Sequence, residues 1–97
     1  MKLYMQNSSV NKSNWQISYS RSAEKFLSKL DDKNKRKILD KIASLIVDDK
    51  GLDIKHLINT ENEYRLRVGD YRIIYARHEQ VLIIEIIKIG NRKDVYK

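Results

Sequence analysis

The sequence predicts an α+β fold in which an antiparallel β-sheet carries an αα-hairpin on one face. Three observations predict it. Apolar residues recur with helical spacing between Ser20 and Gly51, they alternate with period two from Glu63 onward, and a shorter alternating run, Trp15 to Tyr19, precedes both. The element order is then β-α-α-β-β-β. With 97 residues the chain is long enough for one hydrophobic core and too short for two.

Trp15, Ile17 and Tyr19 face one way along the first strand. Ser20 is a natural N-cap, and Ala23, Phe26, Leu27 and Leu30 then repeat at i, i+3, i+4 and i+7 along a first helix. Asp31-Asp32 ends it and starts a second, whose apolar set is Ile38, Ile42, Leu45 and Ile46 and which closes at Asp48, Asp49 and Gly51. Residues 51–62 read as a polar connection pinned by Leu52, Ile54 and Leu57, with His56 an ordinary loop histidine. Three runs, Tyr64–Val68, Tyr71–Arg77 and Val81–Ile89, complete the sheet as consecutive antiparallel strands. The segment 1–14 is polar and lacks periodicity, so a loosely ordered tail is expected ahead of a domain spanning 15–97.

Composition narrows the function. No cysteine is present, which excludes disulfides, thiol nucleophiles and cysteine zinc sites, and two histidines offer little to a metal; no metal or cofactor is expected. No apolar run is long enough to span a membrane, and no signal peptide is recognisable before Asn14, so a cytoplasmic location is expected. A net charge of +7 with a pI near 9.7 points to a polyanionic partner, nucleic acid rather than membrane. The charge sits in the helices and in the C-terminal third. Lys33, Lys35, Arg36, Lys37 and Lys41 lie toward the start of the second helix, either as a solvated face or as a surface for RNA phosphates.

The C-terminal third carries the sharper signal. Gly69-Asp70 is a favoured two-residue hairpin loop between two β-type runs. It pairs Val68 with Tyr71, Arg67 with Arg72, Leu66 with Ile73, Arg65 with Ile74 and Tyr64 with Tyr75. One face then carries Tyr64, Leu66, Val68, Tyr71, Ile73 and Tyr75, suited to covering by helices, and the other carries Arg65, Arg67 and Arg72. Like charges directly opposite destabilise a sheet by a few tenths to about 1 kcal/mol. The arrangement makes sense if an anion lies between them, and the planar fork of arginine grips phosphate oxygens in pairs. Glu85, in a last strand whose register the sequence leaves open, is a counter-ion or a proton acceptor if it shares that face. His78 reads as an exposed turn residue. Gly90 breaks the last strand, after which Arg92 and Tyr96 either fray or fold back to the arginine face.

The string Tyr64-Arg65-Leu66-Arg67-Val68-Gly69-Asp70-Tyr71-Arg72-Ile73-Ile74-Tyr75, followed by Gly90-Asn91-Arg92-Lys93-Asp94-Val95-Tyr96, resembles the RelE branch of the RelE/ParE toxin superfamily. Ser20 to Leu30 and Asp53-Ile54-Lys55-His56-Leu57 fit as well, so the resemblance covers about residues 15–97. It implies a β-α-α-β-β-β toxin of a type II toxin-antitoxin pair that enters the ribosomal A site and cuts mRNA. It also implies a RelB-like antitoxin that wraps the toxin and blocks its basic site, with operator DNA bound only through that complex. By motif position, Arg72 would contact the scissile phosphate, and Arg92 would stabilise its charge or protonate the leaving 5′-oxygen. Tyr96 would stack on or orient the substrate or assist as a base, and Arg65 and Arg67 stand where the family carries basic residues, often lysines, that hold phosphate and promote proton transfer. Lys33, Arg36, Lys37 and Lys93 are candidates for holding mRNA and 16S rRNA.

Arginine stays protonated at any usable pH, so Arg65 and Arg67 are poor general bases and the base is left unassigned. The chemistry expected is attack by the 2′-OH to give a 2′,3′-cyclic phosphate, with charge stabilisation by arginines as the main contribution. Two other readings compete. One is a ParE-like protein of the same fold that poisons DNA gyrase by binding, and the other is an RNA-binding module without activity.

Overall fold

The computed structural model describes residues 14–91, in which the elements run β1 (Gln16–Tyr19), α1 (Arg21–Ser28), α2 (Asp32–Val47), β2 (Asp53–His56), β3 (Glu63–Val68), β4 (Tyr71–His78) and β5 (Ile83–Asn91). The strands form one sheet in the order β1-β5-β4-β3-β2. The fold is α+β, with the helical pair on one face as expected. Two features differ from the sequence reading. The sheet has five strands, because residues 53–56 of the expected connection pair antiparallel with β3, and it is mixed, because β1 runs parallel to β5. A parallel neighbour needs a crossover, and the helical hairpin supplies it.

Ser20 decides where β1 stops and α1 begins. Its extended backbone takes it out of the helix, its Oγ accepts the Ala23 N–H at 3.0 Å, and the same hydroxyl donates to the Ile87 carbonyl at 2.6 Å. Its own N–H donates to the Ile86 carbonyl at 2.9 Å, so one residue caps the helix and fastens it to β5. Asp31 caps α2 in the same way, accepting from the Asn34 backbone N–H and, at 2.8 Å, from the Asn34 side chain. The Asn34 side-chain hydrogen bond, helped by the backbone one, holds the Asp31 carboxyl below its ordinary range.

Ala23 and Leu27 of α1 and Ile38, Ile42 and Leu45 of α2 are buried against Leu66, Val68, Ile73, Tyr75, Ile84, Ile86 and Ile89 of the sheet. The register between β3 and β4 is the one the hairpin loop predicts, rung by rung from Val68↔Tyr71 to Tyr64↔Tyr75. Tyr64 and Tyr75 stack with centroids 5.5 Å apart. Between β4 and β5 the register shifts by one, from Ile74↔Lys88 to Tyr75↔Ile86, and Ile87 is the extra residue of a β-bulge. Val81 and Leu82, expected at the start of the last strand, instead form an exposed turn in which Leu82 has a positive φ of 58° and its carbonyl accepts the Gln16 N–H at 3.0 Å. Arg77 lies 5.4 Å from the Trp15 ring centroid and pairs with Glu79 at 3.1 Å, joining the end of β4 to the approach to β1.

Ile73 is fully buried at the middle of this core, so Ile73→Ala is expected to lower the unfolding free energy by about 2–5 kcal/mol in urea denaturation. A loss below about 0.5 kcal/mol would contradict the packing of the helices on this face.

Burial pushes the Tyr75 hydroxyl from 10.0 up to about 12, so folding favours its protonated form. The associated stability is complete below pH 10.0 and disappears as pH rises toward about 12. Denaturation curves across that window should show a smaller alkaline loss for Tyr75→Phe than for the parent chain.

Candidate functional site

The site begins with a turn. Gly69 has a φ of 58°, a left-handed conformation that glycine adopts without strain, and with Asp70 it returns the chain after two residues. Strand alternation then places Arg65, Arg67 and Arg72 together on the sheet face away from the helices, with Arg67 directly opposite Arg72.

Arg72 is 7% exposed, although the face it belongs to carries no helix. Its Nη1 donates to the carbonyls of Gly69 at 3.4 Å and Tyr71 at 3.3 Å, both long contacts, and its buried Nε has no partner. Across β5 its neighbour is Gly90, which presents no side chain. Among the described residues no carboxylate lies within ion-pair distance of it. A guanidinium held out of water without a counter-ion is destabilising, by several kcal/mol per ion even after relaxation. The fold tolerates that at the rung where two arginines face each other.

The other two arginines have a carboxylate that the sequence reading missed. Asp53 opens β2 directly opposite Arg67. One of its oxygens accepts from Arg65 Nη2 at 2.7 Å and the other stands 3.8 Å from Arg67 Nη1. Arg65 is mostly buried and held closely, whereas Arg67 is half-exposed and held loosely. The alternation of Leu52, Ile54 and His56 around Asp53 was the available signal for this strand, in a stretch too short to stand out beside two charges.

Lys37 of α2 is brought to the hairpin: its Nζ stands 4.0 Å from where a Cβ on Gly69 would be. Lys33 and Arg36 are exposed on α2, in the layer across the sheet from the arginines. Arg92, Lys93 and Tyr96 lie outside the described residues, as does the expected tail apart from Asn14. The last described rungs are Arg72↔Gly90 and Tyr71↔Asn91, so the strand passes Arg72 two residues before Arg92.

The two histidines are placed differently from the sequence reading, and the structure supplies the register of Glu85 that the sequence left open. The bulge puts Glu85 opposite Ala76 on the arginine face, but it pairs with His78 Nε2 at 2.9 Å rather than with an arginine. His78 therefore ends β4 instead of sitting in the turn. His56 lies on β2, tilted against Tyr64 at 5.0 Å, with Nε2 3.2 Å from the Glu61 carbonyl.

A family model described as the ParE toxin of a type II toxin-antitoxin system, parDE, matches residues 17–96. The chain belongs to the RelE/ParE toxin superfamily. The match takes in both helices, all five strands and the arginine face of the toxin. No curated protein matches it.

Solved structures place the toxin in the RelE-like branch of that superfamily. It is 27% identical to a chain of the archaeal RelE-RelB complex from Pyrococcus horikoshii, with a TM-score of 0.70 over 84% of this chain and 98% of that one. A chain of the RelB-RelE antitoxin-toxin complex from Methanococcus jannaschii is 24% identical, with a TM-score of 0.67 over 81% and 94%. The intact E. coli RelBE complex contains a chain 17% identical, with a TM-score of 0.64 over 79% and 95%.

Replacing even a buried ion pair by apolar side chains of similar volume is often neutral or stabilising, by up to about 4 kcal/mol, and a buried charge without a counter-ion has less attraction to lose. Arg72→Met is accordingly expected to unfold at the same or a higher urea concentration than the parent toxin. An unfolding free energy lowered by several kcal/mol would make the guanidinium part of the scaffold instead of part of a site.

Proposed function

We propose that the toxin is an endoribonuclease that cuts mRNA on the ribosome and so arrests translation in the cytoplasm. The observation that carries this reading is Arg72: buried, without a carboxylate partner among the described residues, and facing Arg67 across the ladder. A protein that acted only by docking on another would gain little from a buried cation poised for an anion. A phosphodiester supplies the missing charge.

Metal-free cleavage needs the 2′-oxygen in line with phosphorus, positive charge at the non-bridging oxygens and proton transfer at both ends. Arg72 contacts the scissile phosphate, and Arg65 and Arg67 hold its charge together with the neighbouring phosphate. As the 2′-oxygen bonds to phosphorus the 5′-oxygen leaves, giving a 2′,3′-cyclic phosphate. Arg92 stabilises the leaving oxygen or protonates it, and Tyr96 orients the base beside the cut. The 2′-OH proton goes to a group other than these arginines, which have no free lone pair to receive it. Lys37 at the hairpin, with Lys33, Arg36 and Lys93, holds mRNA and 16S rRNA phosphates. A RelB-like antitoxin, of the kind present in the complexes of the similar toxins, covers the basic face and carries the operator-binding function. Among the described residues no helix is long and apolar enough to cross a membrane.

The matching family model is named for ParE, which supports a second reading in which the toxin poisons DNA gyrase by binding. Primer extension on an mRNA in a translating extract separates the two. Codon-positioned cuts are expected from the parent toxin, and Arg72→Ala should lower their rate by about 10²–10³-fold, the usual effect of removing one transition-state charge contact. A translating extract without cuts, alongside gyrase-dependent DNA breaks, would replace the nuclease reading by the second.

A further inference from the structure

Asp53 is placed as a phosphate would be. Its two oxygens are divided between Arg65 Nη2 at 2.7 Å and Arg67 Nη1 at 3.8 Å, the arrangement in which two non-bridging oxygens would bridge two guanidinium groups. It stands on β2, an edge strand of four residues, and its side chain is half-exposed, so it can swing into water without disturbing the core. The Arg65 contact is short and shielded, whereas the Arg67 contact is long and open to solvent.

We propose that Asp53 is an internal substitute for substrate phosphate, occupying the anion seat between Arg65 and Arg67 in the free protein and displaced from it when RNA binds. The inference rests on the nuclease reading above. In the free protein Asp53 offsets the repulsion of the two arginines and keeps their forks oriented. When a phosphodiester arrives, Arg67 is released first, because its bond is the weaker, and Arg65 exchanges one oxyanion for another. Part of the phosphate affinity is thereby used to expel the carboxylate. The affinity for RNA, and the number of phosphates engaged, are thus set by an acid on a strand that touches no substrate in its absence.

Asp53→Asn tests this directly, because the amide oxygen can still accept from Arg65 while the charge is gone. The probe is a single-stranded RNA with 2′-O-methyl groups, which cannot be cut, titrated over a range of salt concentrations. Asp53→Asn is expected to bind several-fold more tightly than the parent at low salt. The slope of log affinity against log salt should steepen by roughly 0.7, one added phosphate contact on a single strand. Asp40→Asn, the same charge change on the exposed side of α2, controls for net charge and should leave the slope unaltered. In an Arg67→Ala background the gain from Asp53→Asn should shrink.

An Asp53→Asn protein with the parent's slope, or with no more gain than Asp40→Asn, overturns the proposal. That result leaves the nuclease reading standing, since cleavage and its dependence on Arg72 are measured separately. Conversely, a parent toxin that makes no cuts in the translating extract would remove the nuclease reading while the salt slopes continued to report on Asp53.

Discussion

A two-residue turn governs the chemistry of this molecule. In a strand the side-chain period is two, so the number of residues between two runs determines which of their side chains share a face. Gly69 and Asp70 make that number two, and Leu66, Val68, Ile73 and Tyr75 fall on the helix side while Arg65, Arg67 and Arg72 fall on the other. A turn one residue longer or shorter would slide Arg72 off the rung of Arg67 and offer a buried aromatic to solvent. Core and site are therefore two outcomes of one register, and neither can be altered without the other.

The register also creates an electrostatic problem that the fold solves only in part. Arg65 and Arg67 share the carboxylate of Asp53, at the edge of the sheet where water still screens the group. Arg72, one strand further in, has long hydrogen bonds to two carbonyls and an unpartnered Nε. Burial with no counter-ion among the described residues is tolerable because the apolar face behind it, whose buried residues come from both helices and three strands, supplies the stability. Such a division, a well-packed side bearing a strained one, is the usual cost of a site prepared for a ligand's charge before the ligand arrives.

How much of this was legible depended on whether the signal was local. The β3–β4 register was readable because the loop and both strands lie within sixteen consecutive residues, and the helices because their apolar residues repeat over several turns. The direction of β1 was not, because alternation is the same for a strand running either way. β2 escaped notice because four residues with one half-buried isoleucine look like a loop, and with it went Asp53, the nearest carboxylate to the arginines. Lys33 and Arg36 were read from charge alone, and the layering of helix on sheet makes them a surface separate from the arginine face. Arg72's burial was beyond reach, since alternation assigns a side chain to a face but does not say how deeply it sits in it.

The bulge at Ile87 shows how core and site are brought into agreement across β5. Ile84, Ile86 and Ile89 are all buried, yet their spacing of two and then three residues cannot keep one face along a regular strand. Without the extra residue, the pairing that sets Gly90 opposite Arg72 would turn Ile84 and Ile86 to the open face and set Glu85 opposite Arg77 on the helix side. One inserted residue lets the isoleucines face inward on both sides of it, and keeps Glu85, Lys88 and Gly90 on the arginine face. The insertion leaves a carbonyl outside the ladder, and the hydroxyl of Ser20 takes it at 2.6 Å. The serine that starts the first helix thus stabilises the irregularity that leaves a glycine, and no side chain, beside the buried arginine.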